Sequence, residues 1–202
     1  MPDRSHAIAG QPGHPRRVRG APPVWDHDWA AARRAARGRR VARDLVELSR
    51  LQRGEERVDS APFDLARLLR AICVRYGELD VSGPEPLPFR TDSRRLSRVL
   101  STLLDNACLH GAPPITVRYD EAGIVVRDRG PGLAPTLLER ATEPFVTGER
   151  VRGRGVGLGL AIAARQAALL GAELRLANAP DGGAIAELRF APAQSASPPL
   201  PV

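Results

Sequence analysis

Apolar residues recur every three or four positions in four stretches of the chain, a spacing that predicts amphipathic helices. The boundaries of these stretches carry helix signals. Asp64 and either Asp92 or Ser93 precede two of them as N-caps, and Gly54 and Gly171 follow two others. The predicted helices cover residues 25–53, 64–76, 92–109 and 156–170.

Short segments with alternating or clustered β-branched residues lie between and after these helices and predict strands. We expect Pro62-Phe63-Asp64 to form a turn and Asp181-Gly182-Gly183 to close a final hairpin without a chemical role. Helices and strands in this order predict a two-layer α/β sandwich. The predicted strands are 79–81, 87–91, 115–119, 123–128, 173–177 and 184–190.

The chain of 202 residues, 43% of them hydrophobic, suffices for one core of ordinary size. Residues 1–24 are rich in Pro, Gly and Arg, and we expect them and the tail 193–202 to be disordered. The helix within 25–54 precedes a folded domain over 55–192. The apolar residues along one side of this helix are expected to pack against another surface. That surface is either the same helix of a second copy or the domain of the same chain.

The composition of the chain limits the kinds of binding partner and the cellular compartment that we expect. All 30 basic residues are Arg and give a formal charge of +7, but acids interleave with them, which indicates a solvated surface rather than a nucleic-acid interface. Cys73 and Cys108 fall in apolar helical patterns and are expected to be buried thiols in a reducing compartment. No apolar run reaches the roughly 18 residues of a membrane span, so we expect a cytoplasmic chain.

Two polar residues occupy positions from which they could bind a ligand in a pocket. Asn106 lies on the helix predicted over 92–109, where its amide oxygen can share Mg²⁺ with nucleotide phosphates. Asp128 ends a predicted strand before Gly130 and Gly132, where a carboxylate can accept a hydrogen bond from an exocyclic amine and the glycines let a base approach. Each also has a plainer explanation, as a polar helix residue or a surface turn.

Gly155, Gly157 and Gly159 precede and begin the last predicted helix, so backbone N–H groups and the positive helix end can bind phosphate oxygens. The dinucleotide fingerprint fits poorly, because no Gly-x-Gly-x-x-Gly follows the first strand. The polar segment 133–154 is long enough to form a lid. Its arginines either add charge at a γ-phosphate or only solvate the lid: Arg150, Arg152 and Arg154.

In this order and spacing, the three motifs resemble the N, G1 and G2 boxes of the GHKL ATPases. The closest resemblance is to the ATP-binding domain of bacterial sensor histidine kinases, and it runs from about Val41 to Phe190. It implies the Bergerat type of α/β sandwich, with a mixed sheet that binds ATP and Mg²⁺. The motifs read Leu104-Asp105-Asn106-Ala107, Asp128-Arg129-Gly130-Pro131-Gly132 and Gly155-Val156-Gly157-Leu158-Gly159-Leu160.

The resemblance also implies a role for each matching position. Asn106 would hold Mg²⁺ and form the catalytic centre with Thr102, and Asp128 would bind the adenine amino group. Guanine offers a carbonyl at the matching position, which a carboxylate would repel. The remaining nucleotide-binding positions would be Gly130, Gly132, Arg154, Gly155, Gly157, Leu158 and Gly159.

The N box departs from the family pattern at two positions. The family usually has a second Asn four residues before the Mg²⁺ ligand and a Lys or Arg three residues after it, whereas this chain has Thr102 and Leu109. The Thr102 hydroxyl can still hold a water, but Leu109 cannot contact a phosphate. Losing one charge-assisted contact costs roughly 1.5–3 kcal/mol, about ten- to a hundredfold in affinity, so we expect weak ATP binding.

The phospho-acceptor of the family lies upstream in a helix with a phrase like His-Glu-Leu-Arg-Thr-Pro. Residues 44–54 resemble the end of the second dimerisation helix, and His6 stands at a suitable distance before it, but Gly and Pro follow His6. His14 and His27 are placed no better, and His110 belongs to the N box. We therefore expect a truncated acceptor region, with the N-terminal stretch in place of the acceptor helix.

The resemblance implies transfer of the ATP γ-phosphoryl group to a histidine in two-component signalling, by positioning and charge neutralisation. It implies a response regulator or a partner kinase, and a homodimer through the helix of 25–54. An alternative of another class is a nucleotide-binding interaction module without catalysis, which Thr102, Leu109 and the missing acceptor favour. An anti-sigma-type Ser/Thr kinase of the same fold fits the helix of 25–54 less well.

Overall fold

The computed structural model describes residues 17–18, 44–51, 53, 56–77, 79–148 and 156–191. In this part of the chain the helices are α1 (44–51), α2 (Leu65–Cys73), α3 (Ser93–His110), α4 (Pro135–Leu138) and α5 (Gly159–Leu169). A 3₁₀ turn, Val74–Tyr76, extends α2. The strands are β1 (Arg17–Val18), β2 (Ala61–Asp64), β3 (Leu79–Ser82), β4 (Pro88–Thr91), β5 (Thr116–Tyr119), β6 (Gly123–Arg127), β7 (Ala172–Asn178) and β8 (Ala184–Phe190).

The main sheet is mixed and has the strand order β1-β3-β5-β6-β8-β7. Strands β3 and β5 run parallel, and the other neighbouring pairs run antiparallel. Helices α2, α3 and α5 pack against this sheet, which confirms the α/β sandwich. None of the described helices combines the length and the apolar character that a membrane span needs.

Helix α3 is the central helix of the sandwich, and its boundaries confirm the prediction. Asp92 is the N-cap, with Oδ1 accepting hydrogen bonds of 3.1 Å from the backbone N–H groups of Arg94 and Arg95. The predicted apolar face is almost completely buried between α2, α5 and the sheet. Its members are Leu96, Val99, Leu100, Leu103 and Leu104.

The turn predicted at Pro62-Phe63-Asp64 is wrong, because these residues belong to strand β2. This strand pairs antiparallel with β4 in a separate two-stranded ribbon. Pro62 is tolerated because the strand is short and lies at an edge, where not every backbone N–H has to donate a hydrogen bond to a neighbouring strand. The ring of Phe63 packs edge-to-face on Phe89, whose centroid lies 6.2 Å away. Asp64 still caps α2, accepting from the Ala66 N–H at 3.0 Å.

Helix α5 begins at Gly159, three residues later than the start predicted at 156. Gly157 has a φ of +73°, which a right-handed helix cannot contain, so the backbone turns there first. The predicted end is confirmed, since Gly171 follows the helix with a φ of +69°. The final hairpin, β7 and β8, also forms as predicted.

Helix α1 packs on the domain of its own chain, which is one of the two alternatives that the sequence allowed. Leu48 and Leu51 are buried, and they share a cluster with Leu158, Ile162 and Leu169. The Glu47 carboxylate accepts a 2.8 Å hydrogen bond from the buried Gln166 side chain. Leu45 and Val46 remain 44% and 53% exposed.

Several expectations concern residues that the structure does not describe. Of the segment 1–24, Arg17–Val18 is described and forms β1, and the rest lies outside the described residues. The same holds for residues 25–43 of the predicted first helix and for the tail 193–202.

Replacing Asp92 by Ala should lower the free energy of unfolding by about 1–2 kcal/mol at neutral pH, because α3 loses its cap. Burial acts to raise the pKa of Asp92, but the N–H groups of Arg95, Asp59 and Arg94 and the Arg95 guanidinium outweigh it and hold the pKa below its ordinary value. A depressed folded-state pKa gives stability that is present above the unfolded pKa and is lost as the pH falls through the folded one.

The difference between wild type and Asp92→Ala should therefore shrink below about pH 4, where an unfolded Asp takes up its proton. Urea unfolding at neutral pH and at about pH 3 measures it. Glu121→Ala, in an exposed turn, is the control and should change stability little at either pH. An equal loss for Asp92→Ala at both pH values would contradict this role of the carboxylate.

Candidate nucleotide-binding site

Helix α3 carries one motif of the site and leads directly to the next. Thr102 lies on the helix beside the start of α5, Asn106 is one turn further along, and Gly111 follows the last helical residue next to Asp128. With a rise of 1.5 Å per residue, Thr102 and Gly111 are about 14 Å apart along the axis. The structure thus brings the N, G1 and G2 motifs together along a single helix.

The Asn106 side chain has an unmet hydrogen-bonding need. Its Nδ2 atom is buried, and no hydrogen-bond partner for it exists among the described residues. A buried amide without a partner is costly, and such groups are rare in folded proteins. A bound group with oxygen atoms at this place would complete the bonds of the carboxamide. Because Nδ2 is a hydrogen-bond donor, the phosphate-binding part of the predicted role fits this observation.

Asp128 lies directly after β6 with a side chain held by the backbone. It is 6% exposed, and its Oδ1 accepts hydrogen bonds from the N–H groups of Gly130 at 2.7 Å and Ala184 at 3.3 Å. Within the described residues, Oδ2 has no such bond. One oxygen therefore fixes the carboxylate, and the other can accept a hydrogen bond from an exocyclic amine.

Gly111 is a site residue that the sequence analysis missed. A Cβ on Gly111 would lie 2.4 Å from Cγ of Asp128, and a Cβ on Gly130 would lie 2.6 Å from Cα of Gly111. The end of α3 and the loop after β6 therefore touch through backbone, with Arg129 N–H donating to the Ala112 carbonyl at 2.8 Å. A glycine after a helix resembles an ordinary C-cap, so local sequence gave no sign of this contact.

The predicted phosphate end lies where the backbone turns into α5. Gly157 has positive φ, Leu158 is buried, and Gly159 opens the helix. A Cβ on Gly159 would lie 3.4 Å from Cγ2 of Thr102, so the G2 motif adjoins the N box. The Thr102 hydroxyl donates to the Arg98 carbonyl at 3.1 Å. Four site candidates lie outside the described residues: Arg150, Arg152, Arg154 and Gly155, as does His6.

Phe145 is a second residue that the sequence analysis did not single out. It has a φ of +65°, unusual for a residue with a bulky side chain, and the residue is 61% exposed. Its N–H donates to the Gly157 carbonyl at 3.0 Å, and a Cβ on Gly157 would lie 2.4 Å from the Val146 carbonyl oxygen. The segment after α4 is thus held against the predicted phosphate end in a strained conformation.

The two cysteines do not contribute to the site. Both are free thiols, and burial raises the pKa of Cys73 to about 12 and that of Cys108, with a smaller effect of Asp105, to about 11. They therefore remain protonated at neutral pH and are poor nucleophiles and metal ligands. No group of three or more His, Cys, Asp or Glu among the described residues could hold a metal.

Gly111→Ala should disturb the contact between α3 and Asp128 and lower the free energy of unfolding by about 1–3 kcal/mol. Gly159→Ala is the matched control, because its Cβ meets the Thr102 methyl at an ordinary 3.4 Å. Ala is also the better helix former, so Gly159→Ala should leave stability unchanged or raise it by up to about 1 kcal/mol. Urea unfolding distinguishes the two, and equal effects would contradict the close packing at Gly111.

Comparisons with known proteins agree with this fold. The family model described as histidine kinase-, DNA gyrase B-, and HSP90-like ATPase matches residues 91–194, which is 104 of the 202 residues. Sensor protein CseC of Streptomyces avermitilis is 40% identical over 153 residues, which cover 75% of this chain and 31% of that protein. The chain spans about a third of the length of the first curated relatives it matches.

Solved structures show the same fold. Full-length ShkA in complex with AMPPNP gives a TM-score of 0.61 at 27% identity, over 78% of this chain and 36% of that one. The ATP binding domain of PrrB from Mycobacterium tuberculosis gives 0.55 at 24% identity, over 69% and 99%. The chain therefore belongs to the histidine kinase-, DNA gyrase B- and HSP90-like ATPase family, and sensor histidine kinases are among its relatives.

Proposed function

We propose that this chain binds ATP with Mg²⁺ and transfers the γ-phosphoryl group to a histidine in two-component signalling. One observation carries most of the proposal. Asn106, whose buried Nδ2 has no partner within the described residues, lies on α3 between the carboxylate of Asp128 and the glycines that open α5. This is the arrangement that a nucleotide with a base at one end and phosphates at the other would complete.

At the adenine end, Asp128 supplies the recognition. Its Oδ1 is occupied by backbone N–H groups, so Oδ2 would accept from the adenine amino group. Guanine would place a carbonyl oxygen against this carboxylate and be rejected. Gly130 and Gly132 would hold this loop in place, because the absence of a Cβ lets them pack closely against Gly111 and Asn178.

At the phosphate end, the chain would use backbone and amide groups rather than charged side chains of the described part. The N–H groups around Gly157, Leu158 and Gly159 would bind phosphate oxygens at the start of α5. Asn106 Oδ1 would ligate Mg²⁺, and the Thr102 hydroxyl would hold a water near it. Bound Mg²⁺ would neutralise charge on the phosphates. Arg154 and Gly155 would complete this end, with 133–154 as a lid.

The partners follow from the proposed reaction. We infer a response regulator or a partner kinase as the protein partner. We also infer a cytoplasmic location, where ATP is present and cysteine thiols stay reduced. A homodimer through the helix of 25–54 is a further proposal. Leu45 and Val46 support it, since they leave an exposed apolar edge on α1 while Leu48 and Leu51 contact the domain itself.

A second candidate function is a nucleotide-binding interaction module without catalysis. Leu109 supports it, because it is a half-buried apolar residue where the family pattern has a cation. Thr102 supports it too, because its hydroxyl is already hydrogen-bonded to the helix backbone. In this reading ATP occupies the site and the surface of the domain does the signalling.

Incubation with γ-labelled ATP and Mg²⁺ separates the two functions. The full chain is mixed with a histidine kinase whose acceptor is intact and whose own ATP site is inactivated. We expect label on that acceptor which acid removes and alkali does not, the behaviour of phosphohistidine. Asp128→Asn should reduce the labelling about ten- to a hundredfold, because it weakens a charge-assisted hydrogen bond. Nucleotide binding without label would support the interaction module.

Leu109→Arg tests whether the absence of a cation at position 109 lowers the affinity for ATP. A guanidinium at this position would add one charge-assisted phosphate contact, so we expect the Kd for ATP to fall about tenfold or more. Leu109→Met keeps the apolar character and serves as the control. Calorimetric titration measures both variants. An unchanged Kd for Leu109→Arg would show that position 109 does not reach the phosphates.

A further inference from the structure

We propose that the turn between β7 and β8 positions the adenine-binding loop, with Asn178 and Asp181 as positioning residues for Asp128. This inference rests on the proposed function and extends it to a hairpin that sequence reasoning left without a role. The loop, residues 128–133, follows β6, and β8 pairs with β6 in the sheet. The hairpin therefore lies beside the loop, and three kinds of contact join them.

The first contact is made by the Asn178 carboxamide. Its Oδ1 accepts from the Leu133 N–H at 2.8 Å, and its Nδ2 donates to the Leu133 carbonyl at 2.7 Å. The amide thus bonds the backbone of one residue at two points, as a neighbouring strand would. A Cβ on Gly132, whose φ is +71°, would lie 2.6 Å from the same Oδ1. The end of the loop is therefore fixed in both position and orientation.

The second contact is ionic and spans Asp128. The Asp181 carboxylate forms ion pairs with both Arg127 and Arg129, the residues on either side of Asp128. A single acid thereby holds both neighbours of the recognition residue toward the hairpin. The hydrogen bond from Arg129 is the main reason that the pKa of Asp181 lies below its ordinary value, so the pairs persist at neutral pH.

The third contact is through backbone. The Asp128 N–H donates to the Ala184 carbonyl at 3.1 Å, and the Ala184 N–H donates to Asp128 Oδ1 at 3.3 Å. A Cβ on Gly183, at a φ of +91°, would lie 2.0 Å from the Asp128 carbonyl oxygen. The hairpin turn consequently packs directly on the residue that would bind the base, and Oδ2 is left to face the ligand.

Asn178→Asp is the sharpest test, because it is nearly isosteric. The new carboxylate can still accept from Leu133 N–H, but it presents an oxygen rather than a donor to the Leu133 carbonyl. We expect the Kd for Mg-AMPPNP to rise about tenfold, and the Kd for Mg-tripolyphosphate, which has no base and cannot use Asp128, to remain unchanged. Asp181→Asn should raise the Kd for Mg-AMPPNP about two- to fivefold, since its ion pairs are exposed.

Glu173→Gln is the matched control for Asp181→Asn. It breaks an exposed ion pair with Arg175 on the same strand, β7, and involves no residue of the loop. It should leave both dissociation constants as in wild type. Calorimetric titration of the full chain measures the affinities, and circular dichroism verifies that each variant is folded under the same conditions.

The outcomes separate this inference from the proposed function. If wild type binds AMPPNP and Asn178→Asp binds it equally well, the hairpin does not position the loop. If Asn178→Asp weakens the binding of AMPPNP and of tripolyphosphate by the same factor, the residue has only a general structural role, which also overturns the inference. If wild type binds no AMPPNP, the proposed function fails and the inference fails with it.

Discussion

The burial of one face of α3 is the constraint on which the rest of the structure depends. Leu96, Leu100, Leu103 and Leu104 are at most 2% exposed, and their packing against the sheet and the neighbouring helices fixes both the rotation and the height of the helix. Because the helix cannot turn or slide without opening the core, Asn106 and Thr102 have fixed positions as well. The part of the site on α3 therefore inherits its geometry from apolar packing.

The candidate site is built largely from backbone groups. Glycines let the loop after β6, the end of α3 and the start of α5 approach one another closely, and N–H groups hold the Asp128 carboxylate. Such a site recognises shape and hydrogen-bonding pattern. In the proposed function, bound Mg²⁺ and the arginines of the predicted lid would supply much of the charge that neutralises the phosphates. A cation at position 109 would contact the ligand and is not required by the fold. Leu109 is therefore compatible with the fold, although we expect it to weaken ATP binding.

Local signals in the sequence were sufficient for most of the fold. The caps Asp64 and Asp92, the leucine spacing of α3 and the alternation in the hairpins depend on near neighbours, and the structure confirms them. Strand β2 was missed because its partner β4 lies far along the chain, and turn-forming residues conceal the pairing.

Within the candidate site, the motif residues could be proposed from the sequence, whereas the residues that hold them could not. Gly111 and Asn178 act on Asp128 and Leu133, which are distant in sequence, and neither belongs to a pattern that can be recognised alone. The start of α5 was misplaced for a different reason. It depends on the backbone conformation of Gly157, which glycine permits but does not dictate.

The central claim is that one ligand joins the three motifs along α3. Amide NMR during a titration with AMPPNP and Mg²⁺ tests it most directly. The side-chain amide of Asn106 and the backbone amides of Gly130, Gly157 and Gly159 should all shift along one binding curve with a single Kd. An Asn106 side chain that does not respond, or glycines that respond with different dissociation constants, would contradict the account.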